Sequence, residues 1–250
     1  MGWSTRHMLF LAFNWERRRH VQWILRSLVY LLILLLFSQI FSSVHASEDR
    51  FVYLAVTQLV ILGCRKITFS IEQDIQCRNW PTLMLLPSSY FLRKVEEGLG
   101  ASLWSCAVLA VAACIFGPFC GIISWPPAGR IPLALLCGLL SLIIQLLMGF
   151  WIGLLTFWLR DVRNLYFLNL SATFLFGGLI LPIDLYPAAF RHCCFLTPYP
   201  WILWAPASTI VNGTGQLLLK VGGALAWIGI FCWIAHRTMA RLLQAIQLRG

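Results

Sequence analysis

The sequence predicts an all-α membrane protein in which six transmembrane helices form a single domain, residues 1–250. Of the 250 residues, 60% are hydrophobic and 11% are charged, whereas about half of the residues in soluble domains are apolar and about a quarter are charged. Apolar runs of roughly 20 residues, the length of a helix that crosses a bilayer, recur along the chain. The net charge of +10 does not indicate a nucleic-acid partner, because the basic residues lie at the ends of these runs rather than on one soluble face. We expect them to set the topology and to contact membrane lipids.

Residues 1–20 combine aromatic side chains with a basic run at residues 17–19. This pattern is typical of a helix that lies in the membrane interface, and the first span follows at residues 21–41. A cleaved signal peptide is the alternative, because residues 44–46 imitate a cleavage site. The basic region is unusually long for a signal peptide, so we favour the interfacial helix.

The second span, residues 51–69, is followed by the longest polar stretch between two spans, residues 70–97. Apolar side chains within this stretch lie outside any span. Because apolar surface is unfavourable in water by about 25 cal/mol per Å², a partner or the bilayer is expected to cover them. A solvated loop without a partner is the alternative. The acidic residues of interest are Glu72 and Asp74, and the apolar ones are Leu83, Met84, Leu85 and Leu86.

Four further spans are predicted from the apolar runs that follow. They cover residues 99–123, 131–159, 164–181 and 216–235. The run at 131–159 is longer than the hydrocarbon core requires, so a tilted helix or an interfacial end is expected. Residues 236–250 form a basic amphipathic tail.

Between the fifth and sixth spans, residues 182–215 form an apolar segment that prolines interrupt at short intervals. A proline inside a helix removes a backbone hydrogen bond and clashes with the preceding turn, so no part of this segment is expected to cross the bilayer. We expect two short helices, residues 187–196 and 200–211, that dip into the membrane from one side as a re-entrant hairpin. Broken backbone at membrane depth persists only where protein buries it or where it lines a cavity. The hairpin residues of interest are Pro182, Asp184, Pro187, Pro198, Pro200 and Pro206.

The distribution of basic residues predicts the orientation. With six spans and the N-terminus inside, 15 of the 19 Lys and Arg residues lie on the inner side. Basic residues are retained on the cytoplasmic side of membranes. Both termini are therefore predicted to be cytoplasmic and the hairpin to be external. The four basic residues on the outer side are Arg50, Arg130, Arg191 and Lys220.

The central parts of the predicted spans hold no Asp, Glu, Lys or Arg, and the basic residues within the ranges lie near span ends: Arg26, Arg65, Lys66 and Lys220. An intramembrane charge by default marks an ion or proton path, so this composition argues against proton-coupled transport and against a membrane hydrolase. The sequence also lacks a G-x-x-x-x-G-K-[ST] loop. Any ATP hydrolysis is therefore expected in another chain.

His192, Cys193 and Cys194 form a cluster of the metal-ligand type. Neighbouring side chains rarely converge on one ion, and the sequence has no second pair with ligand spacing, so no metal site is predicted. If the outer side is oxidising, Cys120 is a candidate disulfide partner for Cys193 or Cys194, and the sequence does not decide between the two pairings.

Polar residues within the second and fifth spans are candidates for a translocation path. Such side chains usually hydrogen bond to neighbouring helices, and this structural role is the alternative to contact with a substrate. A path without charges suits an amphiphilic or lipid-like molecule better than an ion. The candidates are Thr57, Gln58, Asn169, Ser171 and Thr173.

A series of glycines and prolines runs from the fifth span through the hairpin. It consists of a glycine pair at 177–178, Pro182, Tyr186-Pro187, Leu196-x-Pro198-x-Pro200, Pro206 and a closing Gly213. In this order the motifs resemble the permease subunits of ATP-binding-cassette exporters of the type-2 class. The resemblance covers most of the chain and is strongest over residues 150–213.

The resemblance implies an N-terminal elbow helix, path-lining second and fifth spans, and an external hairpin that caps the translocation path. It implies that the 70–97 loop forms a coupling helix that docks on a separate ATPase subunit through Glu72, Asp74 and the apolar residues 83–86. The family commonly has a glycine and an acidic residue where this chain has Arg78 and Asn79, so the docking geometry is expected to differ.

The resemblance also implies the partners and the location. Two permease chains, identical or homologous, would assemble with two ATPase subunits in a bacterial plasma (inner) membrane. ATP and Mg²⁺ would bind to the ATPase subunits, and this chain would be neither an enzyme nor the holder of a cofactor. The alternative is a non-transporting membrane interaction or assembly factor.

Overall fold

The helices of the protein were located in a computed structural model that describes residues 20–43, 48–77, 90–116, 127–159, 161–179, 182–213 and 215–247. The described residues form helices and no strand, which confirms the all-α prediction. The helices are α1 His20–Ser43, α2 Glu48–Gly63, α3 Ile67–Gln76, α4 Tyr90–Phe116, α5 Ile131–Leu154, α6 Thr156–Leu159, α7 Arg163–Phe176, α8 Ala188–Phe195, α9 Tyr199–Ile202, α10 Trp204–Asn212 and α11 Leu217–Gln247. Two 3₁₀ turns, Ala128–Arg130 and Ile183–Leu185, precede α5 and α8.

Four helical segments of the described chain are long and apolar enough to span a membrane. They are Asp49–Gln76, Tyr90–Phe116, Ile131–Leu159 and Leu217–Leu242. These segments overlap the predicted second, third, fourth and sixth spans, and the ends of all but the segment at 131–159 differ from the prediction. The apolar part of α1, Ile24–Gln39, is shorter. Helix α7 has 14 residues, which at 1.5 Å per residue gives about 21 Å, less than the roughly 30 Å of a hydrocarbon core.

The predicted second span is not one helix. Helix α2 ends at Gly63 and α3 begins at Ile67, so Arg65 and Lys66 lie in a break. Helix α3 then continues to Gln76 because its residues Ile67 and Ile71, one helical turn apart, are buried and form an apolar stripe.

The predicted polar loop, residues 70–97, is helical at both of its described ends. Its first part belongs to α3, and its last part belongs to α4, which begins at Tyr90 rather than near residue 99. Burial of Tyr90, Arg93 and Lys94 against α3 extends α4 in this direction. The apolar residues 83–86 and the predicted elbow at residues 1–19 lie outside the described residues.

Helix α5 is the centre of the bundle and contacts α3, α4, α10 and α11. Its most apolar window has a mean hydropathy of 2.4, the highest of the four span-length segments. Small residues let α3 lie close to it: a Cβ atom at Gly153 would meet the Ile71 Cβ at 2.9 Å, and one at Gly149 would meet the Thr68 hydroxyl oxygen at 3.1 Å. The Thr68 hydroxyl donates a hydrogen bond of 3.0 Å to the Gly149 carbonyl. Helix α3 is thus fixed to the central helix by both packing and a hydrogen bond.

Two helix boundaries near the C-terminal end differ from the sequence prediction. The predicted helix at 200–211 is divided at Leu203 into α9 and α10. Pro206 explains the division, because it has no N–H to donate to the Ile202 carbonyl one turn earlier. Helix α11 continues without interruption to Gln247, so the predicted tail is a continuation of the sixth span as far as that residue.

Candidate functional site

The proline-rich segment is seated inside the helix bundle. Helix α10 packs on α5 and α2, and the stretch from Trp201 to Ala205 is at most 5% exposed at every residue. Broken backbone at membrane depth requires protein around it, and these residues meet that requirement. We call residues 182–213 the hairpin segment.

The carbonyl groups that the breaks leave without helical partners are hydrogen bonded by side chains of other elements. The Ser141 hydroxyl on α5 donates to the Ile202 carbonyl, which Pro206 leaves unpaired. Arg130 donates to the carbonyl of Val211 at 2.7 Å, near the end of α10. These bonds remove the cost of burying bare carbonyl groups. They tie the end of α9 to α5, and the end of α10 to the turn before α5.

Helix α2 holds the junction between α7 and the hairpin segment. The Tyr53 hydroxyl donates to the Gly178 carbonyl at 2.8 Å, and the Thr57 hydroxyl lies 3.4 Å from the Leu179 carbonyl. Gly178 has φ +72°, a backbone conformation that favours glycine. Gly177 is required for space, since a Cβ there would lie 2.8 Å from Leu203. The glycine pair therefore makes the turn that brings the hairpin segment back onto the bundle.

The six predicted hairpin residues occupy different environments. Pro198, Pro200 and Pro206 are buried, whereas Pro187 and Asp184 are exposed. Pro182, Pro187 and Pro198 each precede the first residue of a helical turn or helix, a position that needs no backbone donor. The Asp184 carboxylate accepts a hydrogen bond of 3.2 Å from the Trp204 indole.

Lys220 on α11 is a residue of this site that the sequence analysis did not identify. It is only 2% exposed, and its ammonium group donates to the Thr209 hydroxyl at 3.3 Å and lies 5.2 Å from the Trp204 ring centre. Within the described parts of the chain Lys220 makes no ion pair. The sequence showed a lysine at the end of an apolar run, which we interpreted as a boundary marker on the outer side. Its burial depends on the hairpin segment folding over it, so no local signal distinguishes the two cases.

The candidate path residues do not share one site. Asn169 and Thr173 line a cavity of about 460 Å³ beside the break between α2 and α3, whereas Thr57, Gln58 and Ser171 are not among its lining residues. Asn169 also accepts a hydrogen bond of 3.3 Å from Tyr199 in the hairpin segment.

The remaining candidate path residues have separate surroundings. Thr57 is fully buried, Gln58 is 8% exposed, and Ser171 is exposed. The Thr57 hydroxyl is bonded to carbonyl groups of Leu54 and Leu179. These bonds agree with the structural role that we gave as the alternative, and contact of Thr57 with a substrate stays a prediction.

The acidic residues predicted for coupling have partners within the chain. Asp74 forms an ion pair with Lys94 at 2.8 Å and accepts a hydrogen bond of 2.8 Å from the Tyr90 hydroxyl. Glu72 is 7% exposed and accepts a hydrogen bond of 3.2 Å from Gln76. Contact of these residues with an ATPase stays a prediction, and it would require these bonds to be shared or exchanged.

Arg93 adds a second basic group to this cluster between α3 and α4. It is 9% exposed, its guanidinium lies 5.6 Å from the Tyr90 ring centre, and its Nη2 atom has no hydrogen-bond partner in the described part of the protein. We call Glu72, Asp74, Tyr90, Arg93 and Lys94 the α3–α4 polar cluster.

Two adjacent cysteines of the hairpin segment differ in accessibility. Cys193 is exposed, whereas Cys194 is fully buried, and this burial raises the pKa of the Cys194 thiol. Since the thiolate is the reactive form, Cys193 is the more reactive of the two. Cys120, the predicted disulfide partner, lies outside the described residues. Among the residues that the structure places, no group of three or more His, Cys, Asp or Glu side chains is arranged to hold a metal ion.

The chain matches no protein-family model, and no curated protein is similar to it in sequence. The candidate site is therefore defined by its own geometry: a buried hairpin segment at one end of the bundle, the α3–α4 polar cluster at the other, and a cavity beside the break between α2 and α3.

Proposed function

We propose that this chain is the membrane-spanning subunit of an ATP-driven exporter of the ATP-binding-cassette type. The observation that carries the proposal is the hairpin segment, whose broken helices are packed between α2 and α5. A static bundle has no need of an interrupted segment at its core, whereas a transporter needs an element that blocks a path and can be displaced. The six-span topology with both termini in the cytoplasm, and the plasma membrane of a bacterium as the location, belong to this proposal.

The coupling route in this proposal runs through α5. Helix α3 is fixed to α5 at Gly149 and Gly153, and α5 is fixed to the hairpin segment by the Ser141 hydroxyl. A force on the 70–97 region would therefore reach the hairpin segment through one rigid helix. We propose that nucleotide-driven closure of the ATPase subunits moves α3 and α4, and that α5 transmits this movement.

The proposal includes a second permease copy, or a homologous chain, and two ATPase subunits that bind ATP and Mg²⁺. This chain supplies no catalytic group. The cargo is an amphiphilic or lipid-like molecule, which is consistent with a cavity lined by both polar and apolar side chains.

The experiment is co-purification of the tagged full chain from its own membrane, followed by reconstitution of the complex into liposomes. We expect a nucleotide-binding subunit to associate with the chain, and we expect ATP-dependent movement of a fluorescent amphiphile across the bilayer. A complex that contains no nucleotide-binding subunit and moves no amphiphile would contradict the proposal and would favour a non-transporting assembly factor.

Leu85→Asp tests the coupling contact within the same complex. A charge at an apolar contact loses its hydration without gaining a partner, so we expect association with the ATPase to fall by at least about tenfold, which corresponds to 1.4 kcal/mol. The control is Arg163→Gln, a change of charge at an exposed residue on α7. Association and coupled hydrolysis at the level of the unmodified chain would remove the 70–97 region from the coupling route.

A further inference from the structure

We propose that the cavity beside the break between α2 and α3 binds an amphiphile with an anionic head group. The cavity has a volume of about 460 Å³ and lies between α1, the break, α5 and α7. This volume is within the roughly 300–1,000 Å³ of pockets that hold small molecules. We call it the basic cavity. Its lining residues include Arg26, Lys66, Gln145, Tyr166, Asn169 and Leu170.

Charge is the first observation. Arg26, Arg65 and Lys66 all line the basic cavity, and none of the described residues that line it is acidic. A concave surface lined by one sign of charge raises the local concentration of the opposite ion. An anion is therefore the favoured ligand for this end of the cavity.

The position of these cations is the second observation. Because the helix breaks at residues 64–66, Arg65 and Lys66 follow each other in non-helical backbone and both border the cavity. Arg26 donates a hydrogen bond of 3.3 Å to Ser105, and the Arg65 backbone N–H donates to Ser102 at 2.8 Å. The first bond holds the guanidinium group of Arg26, and the second holds the backbone of Arg65 at the break, before any ligand arrives.

Lys66 is the cation best placed to contact a ligand directly. Its side chain is exposed, and its ammonium group lies 5.3 Å from the ring centre of Tyr166. Stacking on an aromatic face holds a cation in place with little loss of its capacity to donate hydrogen bonds. Lys66 can therefore donate to a phosphate or carboxylate that enters from the cavity.

The remaining wall is apolar and has a few amide groups. Gln145 and Asn169 supply donors and acceptors, whereas Met148, Leu170 and Phe174 supply apolar surface. A soluble anion would leave this apolar wall without a partner, and a neutral amphiphile would leave the basic end without one. A molecule with an anionic head and at least one apolar tail satisfies both ends of the basic cavity.

The proposal that the basic cavity binds such an amphiphile does not depend on transport. The further step, that the bound amphiphile is the cargo and enters the protein at this cavity, rests on the proposed function. Two sources supply this chemistry: an anionic phospholipid of the bilayer and a separate single-tail amphiphile. The test uses one probe for each source, so that the source is an outcome of the experiment.

The experiment measures binding to the full chain, purified without an ATPase in an uncharged detergent, by native mass spectrometry and by the shift in melting temperature. The probes are oleoyl lysophosphatidic acid, oleoyl lysophosphatidylcholine with the same tail and a zwitterionic head, glycerol 3-phosphate as the head without a tail, and dioleoyl phosphatidylglycerol. We expect the lysophosphatidic acid to bind at least about tenfold more tightly than the phosphatidylcholine analogue, and glycerol 3-phosphate to bind weakly. Equal binding of phosphatidylglycerol would identify a bilayer lipid as the occupant, and weaker binding would identify a single-tail molecule.

Two variants locate the binding, and one variant serves as the control. Lys66→Gln removes a cation, and Leu170→Trp fills the cavity without a change of charge. Both are expected to lower the affinity for lysophosphatidic acid by at least about fivefold. Arg163→Gln removes an exposed cation that does not line the cavity, and it should leave the affinity within about twofold. Melting temperatures without the probe establish that all three variants are folded.

Two results would overturn the inference: equal binding of the lysophosphatidic acid and the phosphatidylcholine analogue, or an equal loss of affinity in the Arg163→Gln protein. Neither result depends on an ATPase. If the amphiphile binds but no nucleotide-binding subunit associates with the chain, the proposed export fails and the lipid site stands. If export is observed without this binding, only the inference about the basic cavity fails.

Discussion

Two buried lysines at opposite ends of the bundle have different partners. Lys94, at the end predicted to face the cytoplasm, is 8% exposed and lies 2.8 Å from the Asp74 carboxylate. Lys220, at the end predicted to face outward, is 2% exposed, and its contacts are a hydroxyl group and an indole ring. A buried charge is costly unless an opposite charge accompanies it. The inner lysine therefore contributes to a stable junction. The outer lysine has no carboxylate within ion-pair distance among the described residues, so its charge is the less compensated of the two.

The contacts that hold the helices together also differ between the two ends. The inner end is held by an ion pair, hydrogen bonds and the close approach of α3 to α5. The outer end is held by hydrogen bonds to backbone carbonyl groups and by a cluster of aromatic rings. In this cluster Phe195 lies 5.1 Å from Trp204 and 5.8 Å from Trp201, measured between ring centres. Charged contacts can be exchanged for contacts with a partner, whereas a packed aromatic cluster moves as a unit. This contrast is consistent with an inner end that receives a signal and an outer end that blocks a path.

Labelling of two natural cysteines tests whether the two ends face opposite sides of the membrane. Cys77, after α3, and Cys193, in the hairpin segment, are both exposed. In intact cells a membrane-impermeant maleimide should modify Cys193 and leave Cys77 unmodified, because only the outer end is accessible to it. Mass spectrometry of the tryptic peptides gives the measurement.

The matched control for this labelling is permeabilisation, after which Cys77 should be modified to the same extent as Cys193. Cys194 should stay unmodified under both conditions, because it is buried and its thiol pKa is raised. Modification of Cys77 in intact cells would reverse the orientation that the basic residues predict.

Asp74→Asn tests the strength of the inner junction. Removing one partner of a buried ion pair leaves the other charge uncompensated, at a cost of about 3–5 kcal/mol when burial is complete. Because 21% of the Asp74 side chain is exposed, we expect a loss of about 2–3 kcal/mol, measured as a lower midpoint of thermal unfolding in detergent.

Glu97→Gln is the matched control for Asp74→Asn. Glu97 faces the same lysine at 3.8 Å but is 52% exposed, so its removal should cost at most about 0.5 kcal/mol. Equal losses of stability in the two variants would show that Asp74 does not compensate the buried charge of Lys94 more than Glu97 does.

Two neighbouring glycines on α11 test the packing of the outer end. A Cβ atom at Gly223 would lie 2.6 Å from the Trp201 ring, whereas one at Gly222 would meet nothing within 4 Å. Gly223→Ala should destabilise the protein by about 1–3 kcal/mol through overpacking. Gly222→Ala should leave stability unchanged or raise it by up to about 1 kcal/mol, because alanine favours the helix. A thermal midpoint that is the same for both variants would contradict the close packing of α11 on Trp201.

The sequence predicted the parts of the fold that depend on local composition. The fourth span was predicted over residues 131–159, which contain α5 and α6, because this run is apolar throughout. The short helix α8 was predicted, at residues 187–196, because proline restricts the backbone directly. These features need no knowledge of distant residues. The fifth span was predicted to continue to residue 181, whereas α7 ends at Phe176, before the glycine pair.

The parts that the sequence analysis missed are of two kinds: one local periodicity that was not used, and contacts between distant residues. The residues of α3 were divided between a span and a loop, although Ile67, Ile71 and Ile75 repeat at four-residue intervals, a signal of a helix. The partner of Asp74 lies 20 residues later in another helix, and the partner of Gly223 lies in the hairpin segment. Composition and periodicity contain no information about such pairs.

Lys220→Met is expected to have the smallest effect on stability and gives the sharpest test of the contrast between the two lysines. Methionine has nearly the length of lysine and no charge, so the variant removes the cost of a buried ammonium group while it keeps the packing. The Thr209 hydroxyl is not left unpaired, because it also donates to the Ala205 carbonyl at 2.7 Å. We expect the thermal midpoint to stay the same or to rise, by an amount that corresponds to about 1 kcal/mol.

Lys66→Met, at an exposed lysine, is the control and should change stability by less than about 0.5 kcal/mol. A loss as large as that of Asp74→Asn would show that Lys220 is compensated as fully as Lys94, and the difference between the two ends would disappear. Unchanged stability together with loss of export would identify Lys220 as a residue that is retained for transport.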